Sequence, residues 1–190
     1  MRVIAGTARG RRLVAPPGRD TRPTSDRVRE ALFSSIAPAV PGAAVCDLFA
    51  GSGALGIEAL SRGAAWATFV ERDAVAVRAI RQNLRRAGVD DAGQVVPGEA
   101  ADFCRHPVGG PFDLLLCDPP YAVDSTAIGA LLEALRQAGG LTTEALVVVE
   151  RDRRGPDPAG ELPRFLAEDR RRSYGDTVLI YLRVDEAMTP

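Results

Sequence analysis

Asp118-Pro119-Pro120-Tyr121 ends an apolar run, Phe112-Asp113-Leu114-Leu115-Leu116-Cys117, that reads as a buried strand. An acid, two prolines and an aromatic in this place form a rigid polar tetrapeptide at the carboxyl edge of a sheet, where open α/β sheets bind their ligands. Each proline fixes its own φ, and Pro120 biases Pro119 towards extended geometry. The Asp118 carboxylate and the Pro119 carbonyl can then converge as two hydrogen-bond acceptors, with the Tyr121 ring as a flat wall beside them. Two acceptors and a stacking face suit a planar ring carrying an exocyclic NH2. Such an amine is a poor nucleophile because its lone pair is delocalised into the ring. Hydrogen bonds from both N–H groups draw the nitrogen towards tetrahedral geometry and free the lone pair for attack. Pro-Pro also marks plain turns in many proteins, so the tetrapeptide needs support from elsewhere in the chain.

That support lies upstream. Ala44-Val45-Cys46-Asp47-Leu48-Phe49 reads as a second buried strand, followed by Ala50-Gly51-Ser52-Gly53-Ala54-Leu55-Gly56 and a helical pattern through Leu60. Glycines let a backbone approach a ligand closely, and a helix start offers unpaired N–H groups. The spacing Gly51-x-Gly53-x-x-Gly56 matches the dinucleotide fingerprint, but Asp47, ahead of the glycines, would repel a pyrophosphate and welcome an ammonium. The next strand, Trp66-Ala67-Thr68-Phe69-Val70, ends in Glu71, at roughly the separation where an acid meets ribose hydroxyls. A ligand with an amino-acid end and an adenosine end satisfies both acids. S-adenosylmethionine is that ligand.

The elements that must position these groups alternate. Arg2 to Ala5 and Arg11 to Ala15 read as a β-hairpin closed by Pro16-Pro17-Gly18, and Thr24 or Ser25 caps a helix with Val28, Ala31, Leu32 and Ile36 on one face. Strand and helix then alternate: Val45 with Leu55 to Leu60, Ala67 to Val70 with Ala74 to Arg86, and Gln94 to Val96 with Ala100 to Cys104. Leu114 to Cys117 precedes a helix around Ala127 to Gln137, and Ala145 to Glu150 gives a fifth strand. Arg164 to Arg172 and Thr177 to Arg183 close the chain as two adjacent strands. The alternation predicts a parallel sheet with helices on both faces, in one domain.

A chain of 190 residues, 46% of them hydrophobic, is long enough for one substantial core. Its net charge is −1, but from Met1 to Arg29 eight arginines face only Asp20 and Asp26. Such asymmetry suggests a basic arm meeting a polyanion. Cys46, Cys104 and Cys117 have no metal-type spacing, and inert core thiols are expected. His106, the one histidine, has no Cys or His companion nearby, so no metal site is expected. Neither a signal peptide nor a membrane-length apolar run is evident, and a cytoplasmic monomer is expected.

The order Asp47-Leu48-Phe49-Ala50-Gly51-Ser52-Gly53, then Val70-Glu71-Arg72-Asp73, then Asp118-Pro119-Pro120-Tyr121 resembles the class I, amino-directed S-adenosylmethionine methyltransferases. The N-terminal runs Arg2-Val3-Ile4-Ala5-Gly6-Thr7-Ala8-Arg9-Gly10-Arg11-Arg12-Leu13 and Arg22-Pro23-Thr24-Ser25-Asp26-Arg27-Val28-Arg29-Glu30-Ala31-Leu32-Phe33 narrow the resemblance to bacterial 16S ribosomal RNA guanine-N2 methyltransferases of the RsmD type. It covers nearly the whole chain. It implies an α/β, Rossmann-like fold: a seven-stranded, mostly parallel sheet with an antiparallel C-terminal hairpin, preceded by an N-terminal β-hairpin and helix. Residues 1–37 would form an RNA-contacting extension and residues 38–190 the catalytic domain. Asp47 and the loop Phe49, Ala50, Gly51, Ser52 and Gly53 would hold the methionyl end of the cofactor, with Glu71 at the ribose, Glu99 and Ala100 at the adenine, and Arg72 also in the cofactor site. Asp118, Pro119, Pro120 and Tyr121 would hold the target base, and Arg9, Arg11, Arg12 and Arg22 would grip phosphates of 16S rRNA. That RNA would be free, in the small ribosomal subunit, or in an assembly intermediate. Asp-Pro-Pro-Tyr alone also fits DNA adenine-N6 and, with Asn more usual at its first position, protein glutamine-N5 methylation; a silent nucleotide-binding module needs only the glycine loop. Gly155 to Gly160 is a poor helix, and the last crossover helix of the fold is expected to be cut short there.

Overall fold

In the computed structural model, which describes residues 1–16, 26–120, 122–154 and 163–185, β1 (Ala44–Leu48) buries every residue from Val45 to Leu48. A strand buried on both faces belongs at the centre of a sheet. It pairs in parallel with β2 (Trp66–Glu71) on one side and β4 (Phe112–Cys117) on the other. β3 (Gly93–Pro97) extends the parallel sheet beyond β2, and β5 (Leu141–Asp152) extends it beyond β4. β7 (Thr177–Val184) then runs antiparallel to β5, with β6 (Leu166–Tyr174) antiparallel at the far edge. The order β3-β2-β1-β4-β5-β7-β6 is the expected seven-stranded sheet with its antiparallel C-terminal pair. Strand order reverses between β1 and β4, and a crevice opens at the carboxyl ends of such a pair.

Helices α1 (Asp26–Ser35), α2 (Ala54–Ser61), α3 (Ala74–Ala87), α4 (Ala100–Arg105) and α5 (Ser125–Gln137) cover the sheet. Alternate strand residues point to opposite faces, so the sheet serves two cores. Val45, Ala67, Phe69, Leu114 and Leu116 pack with Leu32, Ile57 and Ile80 of α1 to α3. Cys46, Leu48, Leu115 and Cys117 pack with Phe103 and Leu132 of α4 and α5. α3 illustrates local specification. The Asp73 carboxylate accepts the Val75 and Ala76 N–H groups at 2.7 and 2.9 Å, and Gly88, at φ +70°, ends the helix. All three cysteines are buried, and burial pushes the Cys104 thiol up to about 12, so inert thiols are what the core provides.

The N-terminal segment folds back as expected, but with one antiparallel bridge, Arg2 to Arg12, in place of two paired strands. The backbone N–H groups of Val3, Gly10 and Leu13 bond across the segment, but others are committed elsewhere. Ile4 and Ala5 donate to the two Glu58 oxygens at 2.7 and 3.0 Å, Ala8 donates to Ser61 Oγ at 2.9 Å, and Thr7 donates to the Ser61 carbonyl at 2.8 Å. Glu58 is wholly buried and also receives Arg62 Nε at 2.7 Å, so its charge is paired. Gly6, at φ +83°, permits this docking, because a Cβ there would lie 1.7 Å from the Ser61 carbonyl oxygen. Gly6→Ala is therefore expected to destabilise the protein by more than about 1 kcal/mol, combining a clash with an unfavourable φ. Equilibrium denaturation of both proteins measures this, and equal midpoints would contradict the docking.

Val28, Leu32 and Ile36 are buried as the helical pattern predicts, and Arg29 and Phe33 join them. Ser35 Oγ lies 2.7 Å from the Tyr181 hydroxyl, and Arg170 donates to the Ser35 carbonyl at 2.7 Å, so the end of α1 is tied to β6 and β7. Thr24, Ser25, Pro17, Gly18 and the run from Gly155 to Gly160 lie outside the described residues.

Candidate active site

A cavity of about 700 Å³ opens at the carboxyl ends of the parallel strands, a size that holds cofactor-sized ligands. The loop after β1 forms its floor. Phe49 takes φ +66°, unusual for a bulky residue, and Gly51 and Gly53 take +58° and +77°. Such conformations persist where surroundings over-determine them. Here Ala50 donates to the Val70 carbonyl at 2.9 Å and Gly51 donates to Glu71 Oε2 at 2.8 Å. Phe49, Ala50, Gly51 and Ser52 line the cavity, whereas Gly53 lies behind them as the left-handed cap of α2. Gly56 has a packing task. A Cβ there would meet the Phe69 ring at 2.3 Å, so only glycine lets α2 lie this close to β2.

Three acids converge on the cavity wall from three strands. Asp47, on β1, is buried and accepts the Gly56 N–H at 2.8 Å. Burial holds its carboxyl well above the usual range; the Gly56 hydrogen bond opposes this, and the nearby Asp118 and Glu71 charges add to it. Glu71, at the end of β2, is buried too, with Oε2 on Gly51 and Oε1 accepting the Asp73 N–H at 2.9 Å. Asp118 directly follows Cys117 of β4, which pairs with Leu48 of β1, so it stands across the switch point from Asp47. Pro119 and Pro120 line the same wall, and among the described residues no backbone donor bonds the Pro119 carbonyl. Tyr121 lies outside the described residues. On the lining the acids Asp47, Glu71, Glu99, Asp118 and Glu150 outnumber the bases Arg29 and Arg72, a balance that favours a cationic ligand.

Arg72, Glu99 and Ala100 also line the cavity, and the exposed Arg72 and Glu99 form an ion pair at 3.4 Å. Glu99 precedes α4 without capping it through its side chain. Arg9, Arg11 and Arg12 are exposed on the N-terminal arm and do not line the cavity, while Arg22 lies outside the described residues. Among the described residues no group of three His, Cys, Asp or Glu could hold a metal ion, and no helix is long and apolar enough to cross a membrane.

Residues that no motif marked also line the wall. Met1, Ala15, Pro16 and Arg29 bring the arm and α1 to the cavity, and Glu150 joins from β5. Behind the wall, the fully buried Asn83 of α3 bonds both the arm and the glycine loop. One sign was available in the sequence: Glu58, Ser61 and Asn83 are polar residues on otherwise apolar helix faces, a pattern that marks a buried hydrogen-bonding task.

The Conserved hypothetical protein 95 family model matches residues 1–183. The chain belongs to this family. Relatives carry explicit names. Ribosomal RNA small subunit methyltransferase D of Escherichia coli strain K12 is 41% identical over 150 residues, covering 79% of this chain and 74% of that protein. Its namesake in Haemophilus influenzae is 36% identical over 160 residues, covering 82% and 81%. A solved structure of a hypothetical protein from Thermus thermophilus superposes with a TM-score of 0.77 at 33% identity, over 95% of this chain and 98% of that one. Membership in the Conserved hypothetical protein 95 family therefore agrees with the sheet order and with the class I methyltransferase fold.

Proposed function

We propose that this chain transfers a methyl group from S-adenosylmethionine to the exocyclic N2 amine of a guanine in small-subunit ribosomal RNA. The observation that carries the chemistry is the placing of Asp118-Pro119-Pro120 across the switch point from Asp47, in the cavity that the glycine loop and Glu71 also line. The names of the relatives supply the ribosomal RNA. The acidic wall suits the cofactor: a cavity that raises the Asp47 carboxyl through burial gains most from a ligand carrying positive charge.

In this reading Asp47 faces the ammonium and the backbone from Phe49 to Gly53 holds the methionyl chain. Glu71 takes the ribose hydroxyls while its other bonds fix Gly51 and Asp73, so it shapes the loop as well as the ligand. Glu99 and Ala100 meet the adenine, with Arg72 holding Glu99. Bound there, S-adenosylmethionine supplies an electrophilic methyl group on a sulfonium. Asp118 and the Pro119 carbonyl accept the two N–H groups of the guanine amine, and Tyr121 stacks on its ring. The base must leave its stack to reach them. Positioning of two bound reactants carries most of the acceleration, because the leaving group is a neutral thioether. Residues 1–37 serve as the RNA-facing extension, with Arg9, Arg11, Arg12 and Arg22 on phosphates, and residues 38–190 as the catalytic domain. The RNA is met free or within the small subunit or its assembly intermediate, in the cytoplasm, by a monomer.

Asp47 gives a pH test with a defined sign. The empty site favours the neutral acid, whereas a bound cation favours the carboxylate. Cofactor binding below the empty-site pKa is therefore expected to release a proton, and affinity should rise with pH through that range and then level. By the same linkage, Asp47's contribution to the stability of the empty protein is present at low pH and lost as pH rises through its raised folded value. Calorimetry in buffers of different ionisation heat counts the proton. Equal release by Asp47→Asn would remove Asp47 from the ammonium.

The substrate class is tested by incubating the protein with labelled S-adenosylmethionine and, separately, 16S rRNA, small subunits, DNA and a release factor. Label in rRNA or small subunits is expected. Label confined to DNA or to the release factor would replace this reading with adenine-N6 or glutamine-N5 methylation.

A further inference from the structure

One buried side chain bonds both the N-terminal arm and the glycine loop, beside a direct contact of 3.5 Å from Ser52 Oγ to Met1 Sδ. Asn83 is fully buried on the inner face of α3. Its Nδ2 donates to the Val14 carbonyl and to the Ser52 carbonyl, each at 2.9 Å, and its Oδ1 accepts the Val14 N–H at 2.8 Å. Both hydrogens of the amide are thus placed, and its oxygen is occupied. Val14 lies two residues after Arg12 and directly before Ala15 and Pro16, which line the cavity. Ser52 follows Gly51, which Glu71 holds from the other side.

We propose that Asn83 is a positioning residue that couples the two substrates, so that RNA seated on the arm's arginines and cofactor seated on the glycine loop strengthen each other. The inference rests on the RNA reading above. The loop takes positive φ at Phe49, a conformation that a bulky residue keeps only under outside constraint, and continues through positive φ at Gly51 and Gly53. Asn83 and Glu71 supply that constraint from opposite sides. Displacing the arm leaves the buried Asn83 amide with Ser52 alone, and the hold on the loop slackens. Seating the arm restores both bonds to Val14 and fixes the loop in the shape the ligand meets. No other side chain does this. Asp has no donor for either carbonyl, Gln is longer by a methylene, and Leu makes none of the bonds.

Coupling between two binding events is reciprocal and commonly amounts to about 5-fold or more. The test measures dissociation constants for S-adenosylhomocysteine, which carries no methyl group to transfer, with and without a saturating 16S rRNA transcript, and for the transcript with and without S-adenosylhomocysteine. Wild type is expected to gain the same factor, about 5-fold or more, in both directions. Asn83→Asp, which keeps the shape and exchanges donors for acceptors, is expected to bring that factor close to unity. Val14→Pro removes the N–H that Oδ1 accepts and leaves the Ser52 bond in place. With one of the two Asn83 bonds to Val14 gone and the carbonyl bond kept, it should lower the coupling factor below the wild-type value, and it decides the matter by itself should Asn83→Asp not fold. A purely structural asparagine predicts a lower melting midpoint with the coupling factor unchanged, which overturns the proposal, as does a wild-type factor of one. Failure of wild type to bind both the transcript and small subunits removes the RNA reading; RNA that binds with coupling intact in both variants removes this inference alone.

Discussion

Asp118→Ala is expected to lower methyl transfer by at least roughly 10²-fold, the scale for losing one preorganised electrostatic contact to a reacting group. The amine attacks only when both N–H groups are held. Asp118 and the Pro119 carbonyl are the two acceptors that the end of β4 offers on the cavity wall. With the carboxylate gone, one N–H has no acceptor and the lone pair stays delocalised. Cofactor affinity should change only within a few-fold. Two effects of opposite sign keep that change small: Asp118 adds to the raising of the Asp47 carboxyl, so its removal eases ionisation of Asp47 while thinning the negative wall. Single-turnover rates with saturating cofactor and RNA, set beside calorimetric cofactor affinity, separate the two effects. Near-normal turnover would remove Asp118 from the amine.

Replacing Arg9, Arg11 and Arg12 together is the second large expected effect. The three side chains are exposed on the arm, off the cavity wall, so their loss should spare the cofactor. If each neutralises a phosphate, each lost contact takes roughly 0.7–0.9 from the log–log slope of RNA affinity against salt. The triple variant is then expected to bind more weakly at low salt, along a line shallower by roughly 2–3. A structural arm predicts something different. Its docking rests on Glu58, Ser61 and Asn83, which bond its backbone, and on Gly6. Harm to that docking would lower the melting midpoint and leave the slope alone. RNA binding across a salt series distinguishes the two, and parallel lines would take these arginines out of the interface.

The two central strands were legible because each is a short apolar run ending in polar, chemistry-bearing residues. Val45 to Leu48 and Leu114 to Cys117 pair in the structure as β1 and β4, with Asp47 and Asp118 on opposite sides of the switch point. The glycine loop was legible for a similar reason, since Gly51, Gly53 and Gly56 have few alternatives to a strand-to-helix turn. Strand ends were less so. β5 runs from Leu141 to Asp152, well past the expected Ala145 to Glu150, because Thr142, Thr143 and Glu144 lack the apolar character that the reading relied on. The arm's place against the cavity left no periodic trace. It depends on side chains of α2 and α3 bonding backbone groups more than fifty residues away; Glu58, Ser61 and Asn83 mark a hydrogen-bonding task on those helices but not the segment that fills it. Hydrogen-bond donors taken up in this way also explain why the expected hairpin is reduced to one bridge.

In the proposed function, the amine held by Asp118 and Pro119 belongs to a guanine of small-subunit RNA. The most direct test incubates the protein with S-adenosylmethionine and 16S rRNA or small subunits lacking prior methylation, digests the RNA to nucleosides and identifies the new species by mass spectrometry against synthetic standards. The account predicts N2-methylguanosine, dependent on the protein and lost with Asp118→Ala. N6-methyladenosine or a ring-methylated guanosine in its place would contradict it.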